Sequence, residues 1–161
     1  MVCAVNGVAA GAGAALALAC DIVIAADNAS FIQSFCRLGL VPDSGGSWFL
    51  PRLAGHARAM GMALLGDKIS AQQALEWGMI WQVVPADELA DRTQTLARHL
   101  ATQPTYGLGL IKKAIYSSAT NSLDQQLDLE RDLQRLGGRS DDYREGVSAF
   151  FAKRTPNFSG K

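Results

Sequence analysis

Up to about residue 85, apolar residues fall in short runs broken by Gly, Asn, Asp and Pro; beyond it they recur every three or four positions. Val2–Val5 (VCAV) is an apolar run stopped by Asn6-Gly7 and predicts a buried strand. Gly11–Cys20, rich in Ala and Leu, predicts a short helix. Asp21–Ala26 (DIVIAA) predicts a second strand from its β-branched residues, and Ser30–Ile32 a third, short one. Pro42, Asp43, Gly45 and Gly46 mark a loop feeding a helix.

His56–Leu65 predicts a helix ending at Gly66. Ser70-x-x-Gln73 is a capping box that opens a helix to Trp77, stopped at Gly78. Met79–Val84 predicts another strand. The span 86–102 is amphipathic, with Leu89, Leu96 and Leu100 on one face. Helices follow over Thr105–Ala119 and Ser122–Leu136, the second opening with Ser122-x-x-Gln125, and Ser140 caps a last helix to about Lys153. The tail TPNFSGK is expected to be loose. The pattern is that of an α/β fold in two parts, 1–85 bearing the strands and 86–161 helical, with no repeat and no linker.

A chain of 161 residues, 48% hydrophobic and 19% charged, can build one real core. Its formal net charge of zero excludes a general electrostatic pull on nucleic acid or an anionic membrane, so any anionic ligand needs a local arrangement. Cys3, Cys20 and Cys36 are odd in number and show no metal-site spacing. Reduced cysteines in the cytoplasm are the expectation, with no metal. The uncharged stretch 1–20 ends in LALAC but has no positive n-region, and its Gly/Ala content suits neither secretion nor a membrane span. A core strand at residue 2 suggests a truncated N-terminus, because termini usually lie at surfaces.

Two segments could carry chemistry. In NGVAAGAGAAL (6–16) a strand leads through a glycine-rich turn into a helix. Glycines allow close approach to a ligand, and a helix start offers unpaired N–H groups with partial positive charge. Gly11-Ala12-Gly13-Ala14-Ala15 nearly fits a dinucleotide-binding fingerprint. Against that, Asp21 follows Gly13 too soon for a parallel crossover, and no acidic residue stands about 20 positions on. Simple close packing of helix on strand is the bland alternative.

The second segment is GLVPDSGGSWFLPRLAG (39–55). Asp43 before a helix is, on spacing alone, an N-cap. Burial among Leu40, Val41, Trp48 and Phe49 would instead raise its pKa and suit a proton shuttle. His56 and His99 lack partners at useful spacing, Trp48, Trp77 and Trp81 are expected in the core, and Asp141, Asp142 and Glu145 read as helix-start charges.

The runs AVNGVAAGAGAALALACDIVIAADNASF, LGLVPDSGGSWFLPRLAG, ISAQQALEWGMIWQVVP and YREGVSAFFAKRTPNF, in this order, resemble the enoyl-CoA hydratase/isomerase (crotonase) family across essentially the whole chain. The resemblance implies the C-terminal part of a ββα spiral over 1–85, followed by a helical trimerisation region over 86–161. It implies an acyl-CoA thioester as substrate, no cofactor beyond the substrate's coenzyme A, and a homotrimer or dimer of trimers. It assigns one oxyanion-hole donor to the backbone N–H of Ala12, flanked by Gly11 and Gly13. The other donor and the adenine pocket would lie on segments before residue 1. Phe150 and Lys153 match positions that approach CoA.

The family's hydratases use two glutamates, whose places are taken here by Ala15 and Phe35. Neither side chain moves a proton. The resemblance is therefore to isomerases that use one later carboxylate, at the place of Asp43. Activating water usually takes two acid–base groups, whereas carrying one proton between carbons takes one. A hydratase, or a non-catalytic fragment of the fold, are the alternatives.

Overall fold

The computed structural model describes all residues from Met1 to Lys161. Contacts divide the chain into two compact units, Met1–Thr95 and Leu96–Lys161. The division falls inside a helix.

The first unit winds as a spiral that adds strands to two sheets in turn. β1 (Val2–Val5) lies in one sheet; β2 (Val8–Ala10), after the Asn6-Gly7 turn, lies in the other. α1 (Ala12–Leu18) returns the chain to β3 (Ile22–Ala26), which pairs in parallel with β1. β4 (Ser30–Ile32) then pairs in parallel with β2. The short spacing from Gly13 to Asp21 therefore does not prevent a parallel return. The crossover consists of β2 and α1 together, and a strand of the second sheet supplies the length that the helix lacks.

A 3-10 helix (Ser34–Leu38), α2 (Gly46–Ala54) and α3 (His56–Leu65) follow. β5 (Lys68–Ser70) closes antiparallel on β4, α4 (Ala71–Glu76) leads on, and β6 (Gln82–Val84) joins β3. The sheets run β1-β3-β6 and β2-β4-β5. Their shared core holds Ile24, Phe31 and Leu50, all at most 2% exposed. Each contributes roughly 1.5–3 kcal/mol by leaving water. β1 is less buried than expected: Val5 alone is fully covered, and Ala4 is exposed. Trp48 and Trp81 are likewise exposed rather than core residues.

In the second unit α6 (Thr105–Ser118) packs on α7 (Leu123–Gly137), where Gly137 lets Leu110 approach. α5 (Leu89–Ala101) spans the division. α8 (Asp141–Ala152) closes the chain. Both predicted capping boxes form, Ser70 with Gln73 and Ser122 with Gln125. Ser140 caps α8 by accepting from the Tyr143 N–H.

The tail is not loose. Asp142 is 3% exposed, and its carboxylate accepts from the N–H groups of Ser159 at 2.6 Å and Gly160 at 2.9 Å. Glu145 accepts two bonds from Arg154, at 2.6 and 2.8 Å, and one from the Asn157 N–H at 2.8 Å. These bonds hold the Glu145 carboxyl down at about 2, with the Arg154 bond the main cause. Asp142 and Glu145 are thus anchors for the tail more than charges placed for the helix end.

No helix is long and apolar enough to cross a membrane.

Candidate active site

β2 ends at Ala10, and the chain must turn sharply into α1. Gly11 makes the turn at φ 52, ψ −121, a conformation that disfavours any residue with a Cβ. Its N–H donates to the Ile32 carbonyl at 2.9 Å, which ties the turn to the end of β4. A Cβ here would stand 3.4 Å from the Phe35 ring. Ala12, half-buried, is the first residue of α1, and no group of the chain accepts from its N–H. The first N–H groups of a helix point outward along its positive end. Gly13 is exposed beside it.

One turn further along α1, Ala15 is completely buried. It faces Gly46, whose Cβ position lies 3.5 Å from the Ala15 Cβ and 3.3 Å from the Pro42 Cβ. Larger side chains at this crossing would push α1 and α2 apart. Gln33 closes the same spot: its amide nitrogen lies 3.6 Å from the Gly46 Cβ position, and neither end of the amide has a hydrogen-bond partner in the chain. Gln33 was not singled out from the sequence. Its only signal was an alternation that places it on the same strand face as buried Phe31.

Asp43 sits in the turn that delivers the chain to this crossing. Its carbonyl accepts from the Gly46 N–H at 2.7 Å. Ser44 (φ 51) and Gly45 (φ 82) both take left-handed conformations, and Gly45, not Asp43, is the N-cap of α2. The capping role suggested by spacing is therefore absent: α2 has no side-chain cap, and two residues with positive φ, Ser44 and Gly45, separate Asp43 from its first residue. The apolar neighbours do not bury it either. Leu40 and Val41 are themselves exposed, and the Asp43 carboxylate is exposed with no partner in the chain.

The structure thus brings the Ala12 turn and the Asp43 turn to neighbouring elements, joined where Ala15 meets Gly46. Ala15 and Phe35, where the resemblance would place the two glutamates of hydratases, offer this place only a methyl group and a ring.

Phe150 and Lys153 belong to the second unit. Phe150 is 79% exposed and stacks edge-on against Phe151, with ring centroids 5.7 Å apart. Lys153 caps the end of α8 in a left-handed conformation (φ 51, ψ 41) and is exposed. Phe150 and Phe151 line a groove of about 690 Å³ with Tyr143, Gly146 and Phe158. His56 and His99 are exposed.

Residues 1–161 match the enoyl-CoA hydratase/isomerase family. The chain is 71% identical over all its 161 residues to 1,2-epoxyphenylacetyl-CoA isomerase of Escherichia coli K12, and spans 62% of that protein. It is 40% identical over 161 residues to 2,3-dehydroadipyl-CoA hydratase of the same strain, spanning 63% of it. Among solved structures, an enoyl-CoA hydratase from Polaromonas sp. JS666 superposes with a TM-score of 0.94 at 40% identity, covering 98% of this chain and 62% of that one. The chain therefore spans somewhat under two thirds of these relatives' length. With a match that runs from the first strand through the last helix, and with the spiral it leads one to expect, the chain belongs to the enoyl-CoA hydratase/isomerase family.

Proposed function

We propose that this chain carries the proton-transfer half of an acyl-CoA isomerase site. The reading is carried by one observation: both family acid positions are apolar, and Asp43 presents a free carboxylate on the turn packed against α1. In this reading the Ala12 N–H donates to the thioester oxygen as negative charge develops there. Asp43 takes a proton from one carbon and returns it to another, or assists in opening an epoxide. Gly11 and Gly13 keep side chains away from the thioester. Phe150 and Lys153 approach coenzyme A from a neighbouring subunit of the proposed oligomer, Lys153 through its charge on a phosphate. No cofactor is required beyond the coenzyme A that the substrate brings.

The choice of substrate takes its support from the relative at 71% identity, whose name specifies 1,2-epoxyphenylacetyl-CoA. A homotrimer or dimer of trimers in the cytoplasm completes the reading. A second reading, hydration, takes its support from relatives named as hydratases. Product mass separates the two. Incubation with 1,2-epoxyphenylacetyl-CoA, and separately with an enoyl-CoA, is expected to give products of unchanged mass. A product heavier by one water would overturn the isomerase reading.

A further inference from the structure

Glu145 and Arg154 close a clamp across the end of α8. The Glu145 carboxylate accepts from both terminal nitrogens of the Arg154 guanidinium, at 2.6 and 2.8 Å, and from the Asn157 N–H at 2.8 Å. The guanidinium also donates to the Ser148 hydroxyl at 3.4 Å and to the Thr155 carbonyl at 3.3 Å. A two-point arginine–carboxylate contact fixes direction as well as distance. Lys153 lies inside the loop that this contact closes. It leaves the helix at φ 51, ψ 41, where few residues with a Cβ are found. Such a conformation costs free energy and persists where the surroundings hold it. Here two backbone bonds close the turn, from the Lys153 N–H to Phe150 and from the Arg154 N–H to Ala149. Pro156 stiffens the far side by restricting Thr155. The clamp makes no use of the Lys153 side chain, and the residue is exposed.

We propose that the Glu145–Arg154 clamp positions Lys153 for its contact with a phosphate of coenzyme A, and so sets affinity for the thioester without touching it. This rests on the reading of Lys153 as a coenzyme A contact. Without the clamp, Lys153 returns to the right-handed or extended backbone that a lysine prefers, and its side chain leaves in another direction. The ammonium then meets the phosphate in a smaller share of conformers, and ordering it costs more on binding. Glu145 and Arg154 are thus positioning residues. Their effect falls on binding and not on the proton transfer assigned to Asp43.

The test measures binding of coenzyme A by calorimetry to the full chain and to Glu145→Gln, Arg154→Gln, Arg154→Lys and Lys153→Ala. Helix content is followed by circular dichroism, and amide exchange is read at Arg154 and Asn157. The three clamp variants should keep their helices, lose protection at those two amides, and bind about two- to fivefold more weakly, the range of one exposed charge contact. With 1,2-epoxyphenylacetyl-CoA they should raise KM by the same factor at unchanged kcat. Glu145→Gln and Arg154→Gln change net charge in opposite senses, and Arg154→Lys leaves it unchanged. Tighter binding by Glu145→Gln beside weaker binding by Arg154→Gln would mean a general field on the anionic ligand and would overturn the clamp. In a Lys153→Ala background none of the clamp variants should weaken binding further; an additive loss there overturns the positioning role. Clamp variants that bind like the parent, while Lys153→Ala binds weakly, overturn the clamp alone. A parent chain that binds no coenzyme A, or Lys153→Ala as tight as the parent, overturns the reading of Lys153 and the clamp with it.

Discussion

Replacing Asp142 by alanine should release the C-terminal tail. The carboxylate is 3% exposed and accepts two short backbone bonds, from Ser159 at 2.6 Å and Gly160 at 2.9 Å. A hydrogen bond to a charged group contributes about 1.5–3 kcal/mol, so the two together contribute about 3–6 kcal/mol before compensation. Compensation comes from water. Once the carboxylate is gone, the freed N–H groups are solvated if the tail lifts away. What then remains lost is the packing of Phe158 against Gly146, where its ring lies 3.6 Å from the Cβ position. A net loss of about 2–4 kcal/mol follows. The first assay is amide hydrogen exchange at Ser159 and Gly160. Protection there should fall about 30-fold or more, since 1.4 kcal/mol is a factor of ten. The second is thermal unfolding, where the variant should melt at a lower temperature. Asp142→Asn, which keeps one acceptor oxygen, should fall between. Unprotected amides in the parent chain, or unchanged protection in Asp142→Ala, would refute the anchor.

Three other outcomes follow. The Glu145 carboxyl sits at about 2 when folded against 4.5 as the ordinary value, so the unfolded chain binds its proton more readily. Its stabilising effect is therefore complete above pH 4.5 and lost as pH falls through about 2; acid titration of Glu145→Gln should lack that component. Ala12→Pro removes the proposed oxyanion donor but suits the first position of a helix, so α1 should survive by circular dichroism while kcat drops about 10²–10³-fold; unchanged kcat would remove Ala12 from the site. Gly66→Ala should lower the thermal midpoint, because φ is +66 and the new Cβ would stand 2.9 Å from the Cys36 sulfur.

Elements whose instructions are local were legible in sequence. The capping boxes at Ser70 and Ser122 and the glycine stop at Gly66 fix helix ends through neighbouring residues. β2 and β5 were not legible: each is three residues long, and each is paired only with β4. The predicted strand from Met79 shrinks to Gln82–Val84, since only those residues reach β3. Asp43 shows the same limit. Spacing suggested a cap, and only the left-handed pair Ser44-Gly45 shows why it is not one. The tail was misread because its anchors, Asp142 and Glu145, lie more than ten residues before their backbone partners. The acid–base reading at Asp43 came from the resemblance at Ala15 and Phe35, which no hydropathy pattern reveals.

The most direct measurement is turnover of 1,2-epoxyphenylacetyl-CoA by Asp43→Asn beside the parent protein, with binding of the CoA ester followed by calorimetry. If Asp43 carries the proton, kcat falls by about 10²–10⁴ while the dissociation constant is unchanged, since the amide keeps the shape and loses only the base. Turnover equal to the parent's would contradict the account and leave Asp43 as a residue of the turn alone.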